Sequence, residues 1–111
     1  MGATATNPLL VVTTVATREQ ALALGRAMVE RRLAACAKLT AIESIYRWQG
    51  QVEQEPEFRV LFKTQTEHYP ALEAALRAEH PYTLPAIHAL TTDRAEPAYA
   101  EWVAAQCGGT G

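Results

Sequence analysis

The sequence predicts an α+β fold, a split β-α-β-β-α-β unit with one further helix, helices packed on one face of an antiparallel sheet. Three observations carry that prediction. The apolar period switches between two and 3.6 residues in that order along the chain. A tight turn at Gln49-Gly50 joins two alternating runs, so the central strands must be antiparallel. The length, 111 residues, suits one domain over residues 1–111 with one hydrophobic core.

Leu9 to Val15 is a short apolar, β-branched run, read as a strand buried on both faces. Thr17 and Gln20 then have the spacing of a capping box. In the helix that follows, Ala21, Leu24, Met28 and Val29 fall on one side, with Arg26, Glu30 and Arg31 on the other; it should finish near Leu33. From Ala37 to Trp48 the period becomes two, with Ile42, Ser44, Tyr46 and Trp48 on one face and Glu43, Ile45 and Arg47 on the other. In the return strand Phe58, Val60 and Phe62 point to the core, and Arg59, Leu61 and Lys63 away. Pro56 cannot donate to a ladder, which marks an edge or a bulge there.

Thr66 should open a second helix, with Pro70 in its first turn, Leu72, Ala75 and Leu76 as its stripe, and His80-Pro81 as its end. Pro85 to Thr92 reads as the last strand. Pro97 starts a short helix with Tyr99, Trp102 and Val103, closed by Gly108. Residues 1–8 and 108–111 are expected to be flexible tails. The arrangement is ferredoxin-like. It leaves one sheet face bare, expected to carry Leu61 and Ile45, and a long aromatic hairpin that reads as an arm for self-association.

Charge and composition exclude several function classes. A net charge of −2, with basic residues spread along the chain, is a poor footprint for nucleic acid or anionic membrane. The two candidate central strands lack the aromatic and basic signature of an RNA-recognition sheet. Apolar runs such as Leu9 to Val12 are far too short to span a membrane. Met1 to Pro8 has neither a basic n-region nor an apolar h-region. Two cysteines make no disulfide framework, so a cytoplasmic setting is expected.

Nothing points to an enzyme. Ser44, the single serine, sits mid-strand without a base. The Thr13–Arg18 turn could hold an anion at a helix start, but acylphosphatase chemistry also needs a water-orienting Asn, and the single Asn is Asn7. Metal ligands are available without a ligand spacing: His68, His80, His88, Cys36 and Cys107 form no CxxC or HxxxH. His80, at a helix end before Pro81-Tyr82, is either a neutral metal ligand or a cation on the helix C-terminus. Cys36, among small apolar residues, reads as a small hydrophobe, and Cys107 as incidental. Glu53, Glu55 and Glu57 align either as oxygen ligands or as a solvated edge that resists aggregation, and Pro56 favours the edge.

Leu33-Ala34-Ala35-Cys36-Ala37, Ser44 to Gly50, Glu53-Gln54-Glu55, Lys63-Thr64, His80-Pro81-Tyr82 with Pro85, and Tyr99-Ala100-Glu101-Trp102 resemble the CutA divalent-cation-tolerance family in order and spacing, from Leu9 to Val103. The resemblance implies a ferredoxin-like protomer akin to the PII signalling proteins, a homotrimer joined by the hairpin arms, and a link to divalent metals, copper above all, without an established enzymatic activity. Some members bind copper through a cysteine ending the first strand and paired histidines before the Pro-Tyr. Here Thr13 replaces that cysteine, Glu79-His80 replaces the pair, and Ala86 replaces an acidic residue. Carried over residue by residue, the resemblance nominates His80 for Cu²⁺ or another divalent cation, Glu79 as an oxygen partner, and Cys36 as a matching position. Lys63, Tyr82 and Trp48 are the matching residues of a cleft between subunits. A second reading is a PII-like trimeric signalling or scaffold protein that binds a small anion or a partner protein, motivated by Lys63 and Arg59.

Overall fold

Seven residues rich in Val and Thr form the first strand, β1 (Leu9–Val15), which lies inside the sheet with neighbours on both sides. The computed structural model describes residues 6–108; of the expected tails, residues 1–5 and 109–111 lie outside the described residues. Within those expected tails, Asn7 Nδ2 donates to the carbonyls of Thr92 and Asp93, and the Gly108 N–H donates to the carbonyl of Arg32.

Helix α1 (Arg18–Glu30) begins with the capping box, the Thr17 side chain accepting from the Gln20 N–H while the Gln20 side chain accepts from the Thr17 N–H. It stops at Glu30, three residues before the expected end, with Arg31 as its cap, because Arg32 takes a left-handed backbone (φ 61°) and turns the chain toward Leu33. Its buried face holds Ala21, Leu24, Gly25 and Met28. Gly25 allows a close approach to the sheet, since a Cβ there would stand 3.2 Å from the Ala37 Cβ.

Strands β2 (Cys36–Trp48) and β3 (Gln51–Thr64) pair without interruption from Cys36↔Lys63 to Trp48↔Gln51. Gln49 (φ 50°) and Gly50 (φ 80°) both take positive φ, the two-residue turn whose twist matches a hairpin. Strand β4 (Ile87–Thr91) pairs with β1, giving the antiparallel order β2-β3-β1-β4. Because β1 pairs only with residues 58–64 of β3, the rest of the hairpin is a free arm, and Pro56 lies on its unpaired edge. The arm stretches the protomer to 56 × 28 × 21 Å and its radius of gyration to 15.1 Å, against about 13 Å for a compact domain of this length.

A 3₁₀ turn (Thr66–His68) precedes α2 (Tyr69–Glu79), so Thr66 starts that turn and not the α-helix itself. Helix α3 (Pro97–Gln106) starts with Pro97 and is capped by the Glu96 side chain accepting from the Tyr99 N–H. Val11, Val15, Leu24, Met28, Val60, Phe62, Leu72 and Leu76 make the core between sheet and helices. Cys107 is not incidental: it is buried with Ala35 and Val103 under α3, its thiol against the Thr64 hydroxyl. The register also corrects the bare face. Ile45 faces Gln54, in the alternation of Phe58 and Val60, whereas Leu61 faces Lys38 on the opposite side. Ile45 (68% exposed), Trp48 (46%) and Val52 (64%) leave the arm apolar and uncovered.

Candidate functional site

Thr13 lies in the core-facing alternation of β1 and has no accessible surface. A hydroxyl buried there requires a polar partner. The end of α2 supplies it: Pro81 holds the His80 backbone extended (φ −71°, ψ 136°), and the buried imidazole brings Nε2 to 2.9 Å from Thr13 Oγ1. The other ring nitrogen, Nδ1, accepts the Tyr82 backbone N–H at 3.1 Å. An accepting nitrogen carries no proton, so this network assigns the hydrogen to Nε2, which donates it to Thr13. Burial lowers the His80 pKa below its ordinary 6.5, opposed by a hydrogen bond that the Thr14 backbone accepts from the ring and by the charge of Glu57. The ring is therefore neutral at pH 7, with one lone pair, on Nδ1.

Tyr82 carries the network to the root of the arm. Its ring centroid is 5.0 Å from that of His80, and its phenol donates to Glu57 Oε2 at 2.6 Å. Glu57 is 7% exposed, so it does not belong to the solvated edge formed by Glu53 and Glu55. Burial first, and the bond to Glu57 second, push the Tyr82 phenol upward. Tyr46 donates similarly to Glu55, and that hydrogen bond raises its pKa to about 12. Both phenols thus remain donors at neutral pH, and both carboxylates are acceptors.

Of the nominated residues, the structure joins His80 to Tyr82 and to no other. The Glu79 carboxylate is held by the Arg31 guanidinium, bridging α2 to the end of α1, and lines a notch of about 180 Å³ with Gln20, Ala23, Leu24 and Pro81. Cys36 and Lys63 are cross-strand partners that meet α3: Cys36 Sγ is 3.9 Å from the Tyr99 hydroxyl, and Lys63 Nζ is 5.1 Å from the centre of the Tyr99 ring. Lys63 faces Leu10, three residues along β1 from Thr13, roughly 10 Å at the strand rise. Register parity also puts its side chain on the opposite face from Thr13. Trp48 lies nine residues along β2 from Leu39, the residue level with Thr13 through Val60, so about 30 Å separates it from this chain's own His80. Among the described residues, no group of three or more His, Cys, Asp or Glu side chains is arranged to hold a metal ion. Of the nominated metal ligands only His80 is a nitrogen donor, and the trio of His80, Glu79 and Cys36 does not form a ligand set within one protomer.

The residues that sequence reasoning undervalued are Thr13, Glu57 and Arg31. Thr13 had a signal, a hydroxyl inside a strand buried on both faces. Glu57 directly precedes the core alternation, yet nothing local shows that Tyr82, twenty-five positions later, covers it. Arg31 looked like part of a solvated helix face.

The family model for the CutA1 divalent ion tolerance protein matches residues 9–106. A Thermus thermophilus protein, divalent-cation tolerance protein CutA, is 41% identical over 95 residues, covering 85% of this chain and 92% of its own. The solved structure of CutA from Synechococcus elongatus gives a TM-score of 0.89 at 41% identity and covers 94% of each chain. That of the periplasmic divalent cation tolerance protein CutA from Archaeoglobus fulgidus gives 0.84 at 28% identity, covering 86% of this chain and 94% of the other.

Proposed function

The chain belongs to the CutA1 divalent ion tolerance family, and from that premise we propose that it serves divalent-cation tolerance as a non-enzymatic homotrimer whose contact with the cation, copper above all, runs through His80. The observation that carries this reading is the state of that histidine: buried, neutral and offering one lone pair, on Nδ1. A neutral imidazole suits Cu²⁺, and burial keeps protons from competing at pH 7. Glu79, committed to Arg31, and Cys36, three strand residues distant, are not co-ligands in this account. Assembly is supported by the uncovered apolar arm, which is long enough to bring Trp48 to another subunit. The free thiols of Cys36 and Cys107 suit a reducing cytoplasm, and cell fractionation checks that placement.

Calorimetric titration of the full chain with Cu²⁺ tests the ligand. One site per subunit in the parent, lost in His80→Gln, is the expected result; unchanged binding in the variant removes His80 from the site. One observation favours a second reading, a metal-free PII-like scaffold that binds an anion or a partner protein. Both His80 nitrogens already have partners, so the ring is fully satisfied as a structural element. Under this reading thermal-shift screening finds a stabilising nucleotide or carboxylate, and Cu²⁺ leaves the melting temperature unchanged.

A further inference from the structure

Beyond the reach of β1, the arm consists of residues 42–48 of β2 and 51–57 of β3. Among the described residues, one side-chain hydrogen bond joins it to the rest of the protomer, from the Tyr82 phenol to Glu57 Oε2 at 2.6 Å; the bond from Tyr46 to Glu55 stays within the arm. The ion pairs formed by the described residues, Arg26–Glu30, Arg31–Glu79, Arg77–Glu73 and Arg94–Asp93, do not touch the arm. Glu57 is an unusual anchor: a 7%-exposed carboxylate ordinarily faces a cation, and here it faces a phenol. A buried charge is a poor source of stability and a good constraint on geometry.

The other end of Tyr82 is held as firmly. Its N–H donates to His80 Nδ1 at 3.1 Å, and His80 Nε2 lies 2.9 Å from the hydroxyl of Thr13, inside the sheet. Thr13 pairs with Val60, three residues along β3 from Glu57, a span of roughly 10 Å. The odd spacing puts Thr13 on the core face of the sheet and Glu57 on the opposite face. Tyr82 therefore reaches round the Val15 end of β1 and ties both faces together. Tilting the arm toward either face changes the span from Thr13 to Glu57 and breaks the chain of bonds across it.

We propose that Tyr82 is a strut that aims the hairpin arm, and that this aim selects one closed assembly over open or mixed ones. The proposal rests on the reading that the arm joins subunits, and it names the residue that sets how they join. In a cyclic assembly the rotation from one subunit to the next decides whether the ring closes. An arm that carries Ile45, Trp48 and Val52 to a neighbour passes its angle at the root into that rotation. From Glu57 to Gln51 at the tip is six residues, roughly 20 Å of strand. A tilt of about 15° at the root therefore moves the tip by roughly 5 Å, the spacing between neighbouring strands. Tyr82 is a positioning residue: it touches the root of the arm and leaves the apolar contacts to the tip.

The test uses the full chain and the variants Tyr82→Phe, Glu57→Leu, their double and Glu57→Gln. Residual dipolar couplings compare the direction of the arm amides with those of the body, and native mass spectrometry over a dilution series reads the assembly. In the parent, arm and body should fit one alignment and a single trimer should form. Tyr82→Phe keeps the ring and removes the bond. Its arm couplings should shrink while those of the body stay, and the concentration at which the trimer dissociates should rise about tenfold, the factor that one charged hydrogen bond represents. Glu57→Leu removes the same bond from the arm side and should give the same two changes, and the double should go no further than either single. Glu57→Gln keeps an acceptor oxygen and should stay near the parent. Unchanged arm couplings, or an unchanged dissociation concentration, in both Tyr82→Phe and Glu57→Leu overturns the strut while leaving the assembly reading. A monomeric parent overturns both.

Discussion

Replacing Thr13 by Val probes the contact on which the site is built. The two side chains have nearly the same shape, so the substitution opens no cavity in a position without accessible surface. It removes the oxygen that lies 2.9 Å from His80 Nε2. The imidazole N–H then keeps only the Thr14 backbone as an acceptor, and loss of the Thr13 bond costs about 0.5–1.5 kcal/mol. The new methyl returns up to about 0.8 kcal/mol by apolar burial. The net loss is therefore roughly 0.5–1 kcal/mol. Urea unfolding followed by circular dichroism, at one fixed protein concentration because assembly contributes to stability, measures it. With a slope of about 1–3 kcal/mol per molar urea, the midpoint should fall by roughly 0.2–1 M at unchanged slope. An unchanged or higher midpoint would refute the reasoning, since His80 would then not depend on Thr13.

Other perturbations have equally definite outcomes. Leu72→Ala, at a side chain with no accessible surface under α2, should destabilise by about 2–5 kcal/mol in the same assay. Thr17→Ala breaks the capping box of α1 and should lower stability by about 1 kcal/mol. Gly50→Ala forces a side chain to φ 80° at the arm tip; a loss of about 1 kcal/mol, read as a lower melting temperature, is expected. His80 also gives stability a pH dependence. Its folded pKa lies below 6.5, so the unfolded chain binds the proton more readily. Stability from the neutral ring is full above 6.5 and is lost as pH falls from there toward the lowered folded value. Unfolding free energies measured on both sides of 6.5 should show that slope, reduced in His80→Gln.

The fold was legible because its signals are local and repeated. The Thr17–Gln20 box, the period-two runs around Gln49-Gly50 and the Pro81 and Pro97 punctuation each determine an element on their own. Boundaries slipped where tertiary contacts decide them: Arg32 ends α1 early, and residues 66–68 wind as 3₁₀ before Pro70. The face of Ile45 was misassigned relative to Leu61 because the pairing register across the hairpin turn decides it. The site was half legible. His80 and Tyr82 came from their motif, and the structure joins them by a backbone hydrogen bond. Glu57 and Thr13 reach them only through contacts 25 and 67 positions apart in the chain, which no spacing rule reports. Glu79 adjoins His80 in sequence, but Arg31 takes its carboxylate.

Native mass spectrometry of the full chain with added Cu²⁺, in the parent and in His80→Gln, tests the central claim most directly, because one spectrum reads both assembly and stoichiometry. The account predicts a trimer carrying one copper per subunit, with the same trimer metal-free in the variant. A metal-free parent trimer, or copper retained after loss of His80, would contradict the proposed cation contact; a monomer would contradict the assembly.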